Sequence, residues 1–104
     1  VVLVDDEPGL LRIAERALRD AGFAVEAFAD AHAALARLTA AAGRVACVVT
    51  DQTMPGMTGD ALAQVVAGSW PTVPIVITTG FAARIPSDAL RRARVSAVLE
   101  KPYE

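Results

Sequence analysis

Val45-Ala46-Cys47-Val48-Val49-Thr50-Asp51 is an apolar run that ends on a hydroxyl and then an acid. No polar residue interrupts Val45 to Val49, so the segment reads as a strand covered on both faces, as in parallel sheets. Outward from this run the chain repeats the pattern. Val1-Val2-Leu3-Val4 is a short β-branched run that stops at Asp5-Asp6-Glu7-Pro8. Pro8 suits the first turn of a helix, where its missing N–H costs nothing. Leu11, Ala14, Leu18 and Ala21 then recur at helical spacing, with Arg12, Arg16 and Arg19 between them, and Gly22 closes that helix. Val25 to Phe28 reads as a second strand, Asp30 as the N-cap of a helix from Ala31 to Ala42, and Gly43 as its stop. Past the quoted run, Met54 to Thr58 reads as a loop and Gly59 to Ala67 as a helix. Val73-Pro74-Ile75-Val76-Ile77 is a fourth strand, with proline tolerated at its start. Asp88 to Arg94 reads as a short helix and Ala97-Val98-Leu99 as a fifth strand. Strands alternating with helices imply right-handed crossovers, and so an α/β fold doubly wound around a five-stranded parallel sheet.

Composition narrows the function classes. The chain has 104 residues, enough for one domain with a working core. A hydrophobic fraction of 54 % excludes disorder, and a net charge of −2 excludes a strongly basic nucleic-acid footprint. The one cysteine, Cys47, excludes an internal disulfide framework or a multi-cysteine metal knuckle. No apolar run reaches the roughly 18 residues of a membrane span. Val1 to Val4 is too short for a secretory leader and runs straight into acids, so a cytoplasmic module with no membrane contact is expected. Nine of the ten basic residues are arginine; the only lysine is Lys101, followed by Pro102.

In open α/β sheets the functional crevice lies at the carboxyl ends of the strands. Strand one ends at Asp5 and Asp6, strand three at Thr50 and Asp51, strand four at Thr78, Thr79 and Gly80, and strand five at Glu100 and Lys101. Three carboxylates, a hydroxyl and the only lysine therefore converge on one rim. Clustered acids repel one another, and a hard divalent cation such as Mg²⁺ relieves that repulsion while leaving room for water and phosphate oxygens. A cation, a lysine and a threonine hydroxyl around a carboxylate also suit a phosphoryl group, with Asp51 as the nucleophile that forms an aspartyl phosphate.

These residues resemble the receiver domain of two-component response regulators. Val4-Asp5-Asp6-Glu7 looks like the acidic pair of that family. The stretch from Thr50 through Asp51-Gln52-Thr53-Met54-Pro55-Gly56-Met57-Thr58 to Gly59 looks like its phosphoacceptor segment. Thr79-Gly80 looks like its switch threonine with the small residue after it, and Lys101-Pro102 like its lysine–proline pair. The resemblance spans the whole chain in order. It implies a flavodoxin-like sheet of strand order 2-1-3-4-5 and a phosphorelay role in signal transduction. Asp51 would accept phosphate from a histidine kinase or histidine phosphotransfer domain. Asp6, Asp51 and the Thr53 carbonyl would bind Mg²⁺, Asp5 would act through water, and Thr79 and Lys101 would contact the phosphoryl group. The segment after Asp51 is most similar to receivers attached to hybrid sensor histidine kinases. A homodimer through the face of strands four and five is a further expectation; turnover as an enzyme and direct nucleic-acid contact are not expected.

Three departures from the family pattern stand out. Thr58 occupies a position usually acidic, which bears on loop capping. Val98 stands where a rotating aromatic is common. The chain closes at Tyr103-Glu104, where the family continues into a fifth helix, so a single receiver domain over 1–104 is expected to be a fragment lacking that helix.

An alternative is a Mg²⁺-dependent phosphatase with an aspartyl nucleophile on the same topology. It usually requires a second acid two residues after the nucleophile, and Thr53 stands there. A nucleotide- or flavin-binding module is disfavoured because Asp5-Asp6-Glu7-Pro8 replaces the glycine-rich turn after strand one and would repel a pyrophosphate. Taken alone, Asp5 and Asp6 could be acids at a helix N-terminus and Thr79 a capping residue. His32 reads as a surface or half-buried helix residue, Cys47 as a small core residue of strand three, and Trp70 as a loop anchor over the core. Phe81, after Gly80, would flank the phosphoryl group beside Thr53 and slow dephosphorylation by hindering water.

Overall fold

The structure, a computed structural model, describes residues 1–41, 44–79 and 97–100, the last four by their backbone alone. Its elements are β1 (Val2–Val4), α1 (Pro8–Asp20), β2 (Glu26–Phe28), α2 (Ala31–Ala40), β3 (Val48–Asp51), α3 (Gly59–Ser69), β4 (Ile75–Thr79) and β5 (Ala97–Glu100). The five strands form one parallel sheet in the order β2-β1-β3-β4-β5. This is the flavodoxin-like order expected above. The helix expected over Asp88 to Arg94, the stop at Gly43 and the terminal fifth helix lie outside the described residues, as do Gly80, Phe81, Lys101 and Pro102; so does the Val98 side chain.

Local chemistry explains several boundaries. Pro8 opens α1 as anticipated, and Gly22 follows it with φ +98°, a conformation glycine adopts without penalty. Asp30 caps α2 by accepting a hydrogen bond from the His32 N–H at 2.8 Å. The strands, however, sit later than the apolar runs suggest. Val45, Ala46 and Cys47 precede β3, and Ala46 is exposed. Cys47 is thus a half-buried residue at the strand's entrance, with burial pushing its thiol pKa up. Likewise β4 starts at Ile75 and runs on through Thr78 and Thr79. Register sets these limits: Val2 pairs with Val48 and Val48 with Ile75, so the ladder starts at the level of Val2.

The same register sorts the two faces. Val2, Val4, Val48, Ile75 and Ile77 point to one side and meet Ala31, Ala34 and Leu38 of α2 and Leu62, Ala63 and Val66 of α3. Trp70 packs against this cluster from the end of α3, as an anchor should. Because β2 and β3 lie on opposite sides of β1, right-handed crossovers place α1 and α2 on opposite faces. On the α1 face burial is shallower. None of the α1 residues is buried: Leu11, Ala14 and Leu18 are half-buried, Ala21 beyond the helix is exposed, and Ile13 is 67 % exposed. The apolar stripe read from the sequence is therefore present as a direction and absent as a buried face.

Candidate functional site

β1 and β3 are hydrogen-bonded neighbours that end side by side, so their terminal residues must meet. Asp5 and Asp6 follow β1; Asp51 is the last residue of β3. Each of the three offers a carboxylate oxygen, and these oxygens lie within 4.8 Å of one another. Asp5 and Asp51 are buried and Asp6 is half-buried, so the cluster is partly withdrawn from water, where like charges repel more strongly. Asp5 also accepts a hydrogen bond from the Glu7 N–H at 2.9 Å, which fixes its side chain at the turn into α1. Three hard oxygen donors converging from two strand ends suit Mg²⁺, which favours one or two carboxylates with water and phosphate oxygens around it. A groove of about 340 Å³ opens beside them, bordered by Asp6, Asp30, His32, Met54 and Gly56. His32 is exposed on its edge.

The loop after Asp51 is shaped by its sequence. Gly56 has φ +81°, directly after Pro55, the pairing a tight type II-like turn demands. Met54 is buried and holds the loop against the core, while Thr53 is exposed. Gly59 then opens α3 against β3 itself. A Cβ there would stand 2.5 Å from the Asp51 carbonyl oxygen and 2.9 Å from the Gln52 Cα, so only glycine lets the helix start so close.

Thr79 ends β4, one residue past Thr78, which is the register partner of Asp51. Its side chain is buried, at the same rim. Glu100 pairs with Thr79 on β5, which places the strand-five end at that rim too. Of the six residues singled out from the sequence, the structure thus brings Asp5, Asp6 and Asp51 together and sets Thr53 and Thr79 beside them in chain and register. Lys101 lies outside the described residues.

Two residues at this site were not singled out from the sequence. Gln52 is buried, and its side-chain oxygen accepts the Asp60 N–H at 2.8 Å while its side-chain nitrogen donates to Asp60 Oδ1 at 2.9 Å. The Thr58 hydroxyl donates to the same oxygen at 2.6 Å. Burial pushes the Asp60 carboxyl pKa up, but the hydrogen bonds from Thr58 and Gln52 and from backbone N–H groups outweigh it and hold the value below the ordinary one. The available signal was an acid in the first turn of α3, four residues after the glycine of a proline–glycine turn.

The comparisons agree with this geometry. The family model described as "Response regulator receiver domain" matches residues 1–104. The C4-dicarboxylate transport transcriptional regulatory protein DctD of Rhizobium meliloti (strain 1021) is 39 % identical over 80 residues, which is 77 % of this chain and 17 % of that protein. The chain therefore spans about a sixth of that relative's length. Among solved structures, the chemotaxis protein CheY4 of Vibrio cholerae superposes with a TM-score of 0.84 at 27 % identity, covering 99 % of this chain and 86 % of that one. An uncharacterized protein from Neptuniibacter caesariensis does so with a TM-score of 0.86 at 34 % identity, over 99 % and 76 %.

Proposed function

The chain belongs to the family of response regulator receiver domains, and from that premise we propose that it accepts a phosphoryl group on Asp51 from a phosphohistidine. The donor is a histidine kinase or a histidine phosphotransfer domain. An Asp51 carboxylate oxygen attacks phosphorus; the new P–O bond forms as the P–N bond to the donor imidazole breaks, and the imidazole leaves with the electron pair. Asp6, Asp51 and the Thr53 carbonyl would hold Mg²⁺, with Asp5 acting through water. The ion would supply charge neutralisation among the acids and the phosphoryl oxygens. The Thr79 hydroxyl donates to a phosphoryl oxygen, and Lys101 neutralises its remaining charge. The added charge then biases a two-state arrangement of the strand-four and strand-five face. The reaction is a single uptake followed by slow loss, not turnover of a substrate pool.

The convergence of the Asp5, Asp6 and Asp51 carboxylates within 4.8 Å carries this reading. Incubation with a small phosphoramidate donor and Mg²⁺, followed by intact mass, tests it. One phosphate is expected on the chain and none on an Asp51→Asn variant. An unmodified chain, or a variant that still takes up phosphate, would contradict it.

A further inference from the structure

The start of α3 is capped in an unusual way. Thr58 occupies the N-cap position, yet its side chain makes no capping bond to the helix backbone. Its hydroxyl goes to the Asp60 carboxylate instead. The orphan N–H of Asp60 is satisfied by the side-chain oxygen of Gln52, a residue outside the helix and next to Asp51. The other end of the same amide donates to Asp60 Oδ1. Gln52 therefore grips one residue of α3 by its backbone and its side chain at once. Its own carbonyl accepts the Gly59 N–H at 2.9 Å, and its N–H donates to the Thr78 carbonyl of β4 at 2.9 Å. Four hydrogen bonds thus join this residue to α3 and β4.

We propose that Gln52 is a positioning residue, whose clasp on Asp60 fixes the loop carrying the Thr53 carbonyl and the Asp51 backbone in the geometry that cation binding requires. This rests on the reading of the site given above. The clasp closes the loop where it leaves β3 and where it enters α3, so residues 53–57 have both ends tied. Burying a primary amide is costly unless it is paired, and both ends of the Gln52 amide are paired. An apolar side chain could fill the same space but would not fix direction; the paired amide does, because its oxygen must face the Asp60 N–H and its nitrogen the Asp60 carboxylate. Preorganised donors cost nothing to align when the cation arrives. Thr58 supports the clasp from the other side by orienting the Asp60 carboxylate.

Calorimetric titration of the chain with Mg²⁺ tests this, with urea unfolding in chelator run on every variant. Gln52→Met, which keeps length and loses both bonds, is expected to weaken Mg²⁺ binding about five-fold, the effect of losing about one hydrogen bond's net contribution. Asp60→Leu, which loses the carboxylate but keeps the backbone N–H bond to the Gln52 oxygen, is expected to weaken it by a smaller factor. The double variant is expected to be no weaker than Gln52→Met alone, because that variant already cuts both bonds. Asp60→Asn, which keeps an acceptor for Gln52, is expected to restore binding to within about two-fold. Thr58→Ala, at an exposed position, is expected to fall between it and wild type. Unchanged Mg²⁺ affinity in Gln52→Met and Asp60→Leu, with only the urea midpoint lowered, would reduce the clasp to a structural cap and overturn the proposal while leaving the site reading intact. Additive losses in the double variant would overturn it as well. A wild-type chain that binds no Mg²⁺ would overturn both.

Discussion

The core beneath α2 and α3 and the rim at the carboxyl end of the sheet lie a few residues apart on the same strands, and they obey opposite rules. On β3, Val48 is fully buried among apolar partners; three residues on, Asp51 is also buried, but beside two other carboxylates. Burial stabilises the first, through the removal of apolar area from water, and brings the second into a cluster of acids that a divalent cation suits. The difference teaches that one strand can supply stability at its middle and chemistry at its end. It also says where a substitution should hurt folding, where it should hurt function, and where it should help folding at the expense of function.

The largest effect is expected in the core. Leu62 of α3 is fully buried in the core cluster that the strands, α2 and α3 build together. Leu62→Ala is expected to lower unfolding free energy by about 3 kcal/mol, read from urea denaturation, while phosphate uptake per folded molecule stays unchanged. A comparable loss of uptake in the folded fraction would erase the distinction between core and rim. Gly59→Ala probes the boundary between them. The added Cβ meets the Asp51 carbonyl, a backbone atom that cannot swing aside. A loss of about 1–3 kcal/mol is expected together with slower phosphate uptake at matched folded fraction. A loss of stability with uptake unchanged would show that α3 and the acceptor are not coupled.

The rim was legible because strand ends in a parallel sheet are a topological consequence, not a packing detail. Once Val1–Val4 and the run ending at Asp51 are read as neighbouring parallel strands, Asp5, Asp6 and Asp51 must share an edge. The strand limits were less legible. Val45 to Cys47 are as apolar as Val48 and Val49, and only pairing with Val2 and Ile75 decides which of them enter the ladder. The burial of α1 was not legible either. Spacing assigns a helix its apolar side but not the depth of the layer that covers it, and Leu11, Ala14 and Leu18 end half-buried. Gln52 and Asp60 escaped because a reciprocal side-chain clasp leaves no periodic trace; it depends on the turn at Pro55-Gly56 bringing residue 60 back to residue 52.

The central claim is that the rim carries like-charge repulsion which a divalent cation relieves. The direct test is the unfolding midpoint of wild type and Asp6→Asn, each measured in chelator and in saturating Mg²⁺. In chelator the variant is expected to be the more stable by about 1 kcal/mol, because one of three crowded charges is gone. In Mg²⁺ the order is expected to reverse, because a ligand that binds only the folded chain stabilises wild type more than a variant lacking a donor. The same order in both conditions would contradict the account.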